Sequence, residues 1–296
     1  MIAVRDLVKR YGSFSAVDGV SLDVPAGSIC GLLGPNGSGK TTTFKCLLGF
    51  ARPNAGEIRF DGAPLAPATF ERLAYVPERA ALYDWLTAEQ HLELTRRSYA
   101  RYDEARAREL LRVFELDPRK KAKHLSKGQQ TALALTLALA IRPSMLVLDE
   151  PATGLDPIFQ RVVLDLLIDA AANGASVLLS SHQVGQVERA ADRVAILRRG
   201  KLVLGGDIDA LKGDEKIVEA IFAGSAPSLN GLGHDARVRR VETTGAILRV
   251  YARRDADALA AELGGLGARS IRVIDRGLED IFLDAVADGV IPEVPS

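Results

Sequence analysis

The stretch SICGLLGPNGSGKTT, residues 28–42, constrains this chain more than any other feature. Its first half is a continuous apolar run bounded by glycine, which suits a strand buried on both faces. Its second half leads into residues 40–50, whose spacing sets Phe44, Leu47 and Leu48 on one side of a helix. Strand, glycine-rich turn and helix, in that order, match the phosphate-binding loop, with Gly34 to Gly39 followed by Lys40 and Thr41. Glycines let the backbone wrap phosphate oxygens, so that successive N–H groups and the helix N-terminus face the anion. The candidate phosphate-binding residues are therefore Gly34, Pro35, Asn36, Gly37, Ser38, Gly39, Lys40, Thr41 and Thr42. Lys40 is expected to reach the β- and γ-phosphates, and the Thr41 hydroxyl to ligate Mg²⁺.

A second apolar run, MLVLDE at 145–150, reads as a central strand that ends in Asp149 and Glu150. Asp149 is expected to hold Mg²⁺, directly or through water, and Glu150 to orient and polarise the attacking water. An acidic pair at a strand end is often only a helix cap; the phosphate loop tips the reading towards catalysis. LLSSH sets His182 just past another buried strand. A histidine there is either a structural residue or, because strand ends line the ligand crevice of a parallel sheet, a partner for the γ-phosphate or the water.

The remainder alternates strands with helices, which argues for an α/β fold with a mostly parallel sheet. Residues 1–24 alternate in strand fashion, and shorter strands fall at Gly56–Phe60 and Leu73–Pro77. From Thr87 to Pro143 the pattern is helical, with Asp103 as an N-cap, and reads as an inserted subdomain at about 79–143. KLVLGGDIDALK closes a first domain at 1–212. Beyond the glycine- and serine-rich GSAPSLNGLG, the 214–296 segment reads as strand, strand, helix, strand, helix, a small α+β domain with no catalytic constellation.

Bulk properties exclude several classes. With 38 basic and 38 acidic residues the chain has no gross positive charge to drive nucleic-acid binding. Cys30 and Cys46 sit in apolar surroundings and read as reduced core thiols of a cytosolic protein. No basic stretch followed by an apolar core opens the chain, so no secretory signal is expected. The weakly polar run Ala132 to Ile141 is too short to span a bilayer, so a membrane role must come through a partner.

Taken in order, six motifs resemble those of the nucleotide-binding subunit of an ABC transporter over about residues 2–212. GPNGSGKTT resembles the Walker A loop, LSKGQ the signature, LVLDEP the Walker B strand and TGLD (Thr153 to Asp156) the D-loop. His182 stands where the family has its switch histidine, and YVPE where it has its glutamine loop. The resemblance implies a P-loop NTPase of ABC type: mostly parallel central sheet, antiparallel β subdomain, inserted helical subdomain. It also implies ATP and Mg²⁺ as ligands and head-to-tail pairing with a second ATP-binding subunit. Ser126, with the backbone N–H groups of Lys127, Gly128 and Gln129, would then bind the γ-phosphate of the neighbour's ATP, and Asp156 would join that site. Tyr11 matches the aromatic that stacks on adenine, or is an exposed loop tyrosine.

Two positions depart from the family pattern. Lys127 replaces the usual glycine; its charge either attracts the neighbour's triphosphate or points into solvent. Glu78 replaces glutamine, and as a carboxylate it can only accept hydrogen bonds or bind metal, so it joins Thr41 and Asp149 as a metal candidate. YVPE with TGLD, and the tail ending LEDIFLDAV, resemble the branch serving drug, antibiotic and lipid exporters. The expected partner is a transmembrane permease, which would place the subunit on the cytoplasmic face of the cell membrane. Its docking helix would meet the loop after Glu78, where Tyr83 and Trp85 are either contact residues or core. A soluble ABC ATPase acting on DNA, ribosomes or cofactor assembly is the alternative, and a non-catalytic dimeriser a third. No nucleic acid is expected.

Overall fold

The computed structural model describes residues 1–214, 216–227 and 232–287. Part of the GSAPSLNGLG break and the last residues of the expected C-terminal domain lie outside them. Contacts divide the chain into two compact units, Met1–Gly205 and a second from Gly206 onward.

In the first unit, β1 (Ile2–Tyr11) and β2 (Phe14–Val24) form an antiparallel hairpin. β3 (Ser28–Leu33) is buried along almost its whole length and delivers the glycine-rich loop to α1 (Lys40–Leu47). β4 (Ala55–Phe60) and β5 (Ala63–Pro64) return to β1, giving a four-stranded antiparallel sheet in the order β2-β1-β4-β5. After the single turn α2 (Pro67–Phe70) comes β6 (Leu73–Val76).

The inserted block holds α3 (Ala88–Ser98), α4 (Glu104–Val113), a 3-10 turn at Ala122–His124 and α5 (Lys127–Ala140). Each α-helix begins at a side-chain cap: Thr87, Asp103 and Ser126 accept from the N–H groups of Gln90, Arg106 and Gln129. β7 (Met145–Asp149), α6 (Pro157–Ala172), β8 (Ser176–Ser181), α7 (Val184–Ala190), β9 (Arg193–Arg198) and β10 (Lys201–Asp207) complete the alternation. The central sheet runs β10-β9-β3-β8-β7-β6, and β6, β7, β8, β3 and β9 pair in parallel. Strands β3, β7 and β8 therefore end on one edge, the crevice side of a parallel sheet. The core beneath is the joint apolar face of both sheets and α1, with Leu32, Phe44, Leu47, Phe60, Val147 and Leu178 essentially excluded from solvent.

The second unit contains α8 (Ile208–Asp214), β11 (Lys216–Ile221), β12 (Val238–Thr244), β13 (Ile247–Ala252), α9 (Ala256–Gly265), β14 (Ser270–Asp275) and α10 (Leu278–Ala287). Its antiparallel sheet is ordered β12-β13-β11-β14, and Leu259 and Leu263 of α9 pack on Val218, Ala220, Leu248 and Val250. The central strand β11, KIVEAI, is absent from the sequence reading; Val218 and Ala220 face the core, and Glu219 between them lies on the other face. That carboxylate is satisfied across the sheet by Arg249 Nε at 2.8 Å. The contact boundary at Gly205 and the sequence boundary at 212 bracket the start of α8. Among the described residues, no helix is long and apolar enough to cross a membrane.

Candidate functional site

The loop after β3 is shaped by what it must leave open. Gly39, the N-cap of α1, has φ 112° and makes no side-chain cap, and no acidic residue occupies the first turn. A Cβ on Gly39 would lie 2.6 Å from the Ala16 carbonyl oxygen, so only glycine fits there. The first N–H groups of α1 thus face the cleft without a competing side chain, a positive helix end awaiting an anion. The Ser38 hydroxyl, nearly fully buried, has no hydrogen-bond partner among the described residues.

Lys40 is 8% exposed and folds back over the loop, donating to the carbonyl oxygens of Gly34 at 2.6 Å and Pro35 at 3.4 Å. Burial lowers the pKa of its ammonium, while Glu150, Asp149 and Glu78 oppose that shift. The Tyr75 hydroxyl is pushed up to about 12, first by burial and then by Asp149 and Glu78. The cleft is therefore a basic loop facing three carboxylates.

Asp149 ends β7 with Oδ2 3.4 Å from Thr41 Oγ1, and its Oδ1 accepts from the Ser180 hydroxyl at 2.5 Å. Glu150 turns the chain away from the sheet at φ 53°, with its N–H donating to Ser180 O at 3.2 Å and Ser180 Oγ at 3.0 Å. Its Oε2 meets His182 Nδ1 at 2.8 Å and accepts from Thr153 Oγ1 at 3.3 Å. Glutamate and histidine thus form a pair at adjacent strand ends, with the imidazole half-exposed and the carboxylate mostly covered.

Ten of the expected residues line one cleft of about 250 Å³: Asn36, Gly37, Ser38, Gly39, Lys40, Thr41, Thr42, Glu78, Asp149 and Glu150. Gly34 and Pro35 stand behind it as acceptors for Lys40. Tyr11 is not in this lining. It pairs across the hairpin with Phe14, is half-exposed, and carries the Lys9 ammonium 4.9 Å from its ring centre. The aromatic that lines the cleft is Phe14, beside Ala16. Sequence reasoning missed it because a turn of two residues brings the second strand, not the first, over the loop.

The remaining expected residues meet elsewhere. Ser126, Lys127, Gly128, Gln129 and Asp156 line a separate cleft of about 520 Å³ with Phe114, Ala132, Gly154, Leu155 and Phe159. There the Gln129 N–H donates to Ser126 Oγ at 3.2 Å, and Gln129 Oε1 accepts from the Ser126 N–H at 3.1 Å. Asp156 caps α6, accepting from Ile158 and Phe159 N–H at 2.9 and 3.0 Å. Gly128 lies so close to Leu155 that a Cβ would sit 3.2 Å from its Cδ2, and the Lys127 stem crosses Gly154. The two clefts share no lining residue.

The chain is similar to several known proteins. The family model described as ABC transporter matches residues 17–153. The ABC transporter ATP-binding protein YtrB of Bacillus subtilis is 34% identical over 225 residues, covering 75% of this chain and 77% of YtrB. The Nod factor export ATP-binding protein I of Burkholderia orbicola is 35% identical over 293 residues, covering 95% of each chain. A solved ATP-binding subunit of an ABC transporter is similar at TM-score 0.67 and 32% identity, over 72% of this chain and 92% of its own. A dimeric bacterial ABC transporter cassette is similar at TM-score 0.63 and 26% identity, over 70% of this chain and 98% of its own.

Proposed function

The chain belongs to the ABC transporter family, as a subunit that binds and hydrolyses ATP, and on that premise we propose how its two clefts divide the work. Lys40 and the open N–H groups of residues 36–42 bind the triphosphate of this chain's own ATP. The Ser126 turn of α5 closes over the triphosphate of a second ATP-binding subunit, and that subunit's turn closes over this one. The observation that supports the reading is the separation of the clefts: the glycine-rich loop and the Ser126 turn line surfaces with no residue in common.

The donor set suits Mg²⁺. Thr41 Oγ1, Asp149 Oδ2 and Glu78 offer hard oxygens at the phosphate cleft. Among the described residues, no cluster of three or more His, Cys, Asp or Glu could hold a metal ion alone. A cation that keeps water and takes phosphate oxygens fits such a site; when bound, it would draw charge from the phosphates. Glu150 takes up the attacking water, with its carboxylate steadied by His182 and Thr153. Phe14 and Tyr11, adjacent across the hairpin, offer the aromatic surface for adenine.

Dimerisation and a permease partner follow from membership of the family; which surfaces serve them is part of the proposal. Tyr83 and Trp85 are exposed, with ring centres 5.3 Å apart, and so are free to meet a permease helix after Glu78. We assign the subunit to the cytoplasmic face of the membrane, held there by that permease, and to export, in line with the relative named for export. The second unit is assigned to regulation or to stabilising the dimer.

Mixing two variants tests the shared-site reading. Ser126→Asp keeps a good N-cap but sets a carboxylate where the neighbour's γ-phosphate would lie. Lys40→Ala empties the loop. Each alone is expected to lack ATPase activity, while a mixture recovers it, because a mixed dimer holds one intact pair of half-sites. A mixture as inactive as its components would overturn the reading.

A further inference from the structure

Ser180 is the buried polar group at this site that no sequence motif accounts for. It stands in β8 directly opposite Asp149 of β7, with no solvent exposure. Its hydroxyl donates to Asp149 Oδ1 at 2.5 Å and accepts the Glu150 N–H at 3.0 Å. One side chain therefore touches both acidic residues. Its neighbour Ser181 cannot substitute, because that hydroxyl accepts the Gln183 N–H at 3.0 Å.

Two consequences follow from this geometry. Asp149 has two oxygens, and with Oδ1 engaged in the sheet, Oδ2 is the one presented towards Thr41 and the phosphate cleft. Glu150 adopts a left-handed backbone, φ 53°, which a residue with a Cβ holds only when its surroundings impose it. Ser180 holds the N–H of that residue twice, through its carbonyl and its hydroxyl.

We infer that Ser180 is a positioning residue of the ATPase, selecting the oxygen that Asp149 offers to the metal and fixing the turn from which Glu150 reaches water. The inference rests on the roles proposed above for Asp149 and Glu150. Ser180 is fully buried and acts through the two carboxylates, as outer partners of metal ligands do.

The test uses the full chain with Ser180→Ala, beside Asp149→Asn. Ser180→Ala removes the hydroxyl but leaves the backbone bond from Glu150 N–H to Ser180 O, so the fold is retained. ATP affinity is measured in EDTA and across a Mg²⁺ titration, and kcat at saturating Mg²⁺. Ser180→Ala is expected to bind metal-free ATP as wild type does, to need about 10-fold or more Mg²⁺ for half-saturation, and to lose about 10–100-fold in kcat. Wild-type Mg²⁺ dependence and kcat in Ser180→Ala, with the Mg²⁺ response lost in Asp149→Asn, would overturn the role of Ser180 alone. An unchanged Mg²⁺ response in Asp149→Asn would overturn the role of Asp149 and this inference with it.

Discussion

Two helices of this chain begin at the proposed phosphate sites, and their N-termini are prepared in opposite ways. At α1 the cap is a left-handed glycine with no side-chain bond, and the lysine that follows is folded onto two loop carbonyls. At α5 Ser126 and Gln129 satisfy each other's backbone N–H groups in a reciprocal capping box. The first helix end is left wanting an anion; the second is complete without one. A serine hydroxyl that accepts from Gln129 still has its own hydrogen to donate, so α5 can meet a phosphate without first breaking its cap. On the proposed reading, the difference teaches that one site is built to capture a nucleotide and the other to confirm that a nucleotide has been captured next door.

Substitutions at each end sharpen that contrast. The largest effect is expected from Glu150→Gln, which should cut the steady-state hydrolysis rate by about 10²–10⁴-fold while leaving ATP binding intact. Lys40→Ala should weaken ATP binding to the isolated subunit by about 10–100-fold, the worth of a charge-assisted hydrogen bond, as read by a fluorescent nucleotide. Ser126→Asp should leave that binding unchanged and abolish ATP-dependent dimerisation in sedimentation. If it weakened binding by the lone subunit, the division of labour between the helix ends would be wrong. The smallest effect belongs to Lys127→Gly. A cation at a helix start costs a few tenths to about 1 kcal/mol, so its removal favours the isolated helix, while the loss of positive charge weakens the ATP dimer. Unchanged dimer affinity would leave Lys127 as a solvated side chain lying over Gly154.

Much of this was legible in residues that serve one local purpose. A buried strand, a glycine turn and a lysine announce a phosphate loop because few other backbones need that combination. One helix start was readable where a small polar side chain meets a backbone N–H three residues on, at Asp103. What stayed hidden depends on neighbours distant in sequence. Ser180 looks like any serine near a strand end until β7 and β8 lie in register. Phe14 and Tyr11 are separated by one hairpin turn, and only the fold decides which of them reaches the cleft. In the tail, β11 offers the core only Val218 and Ala220, too short an apolar pattern to announce a central strand, and Glu219 on its other face finds its partner Arg249 only across the sheet.

The absence of any shared residue between the two clefts has a genetic consequence. A copy damaged at one cleft spoils a single site in each mixed dimer, whereas a copy damaged at both leaves such a dimer with none. Co-expressed with the wild-type gene, the first kind of allele should behave as recessive or nearly so, and the second as dominant.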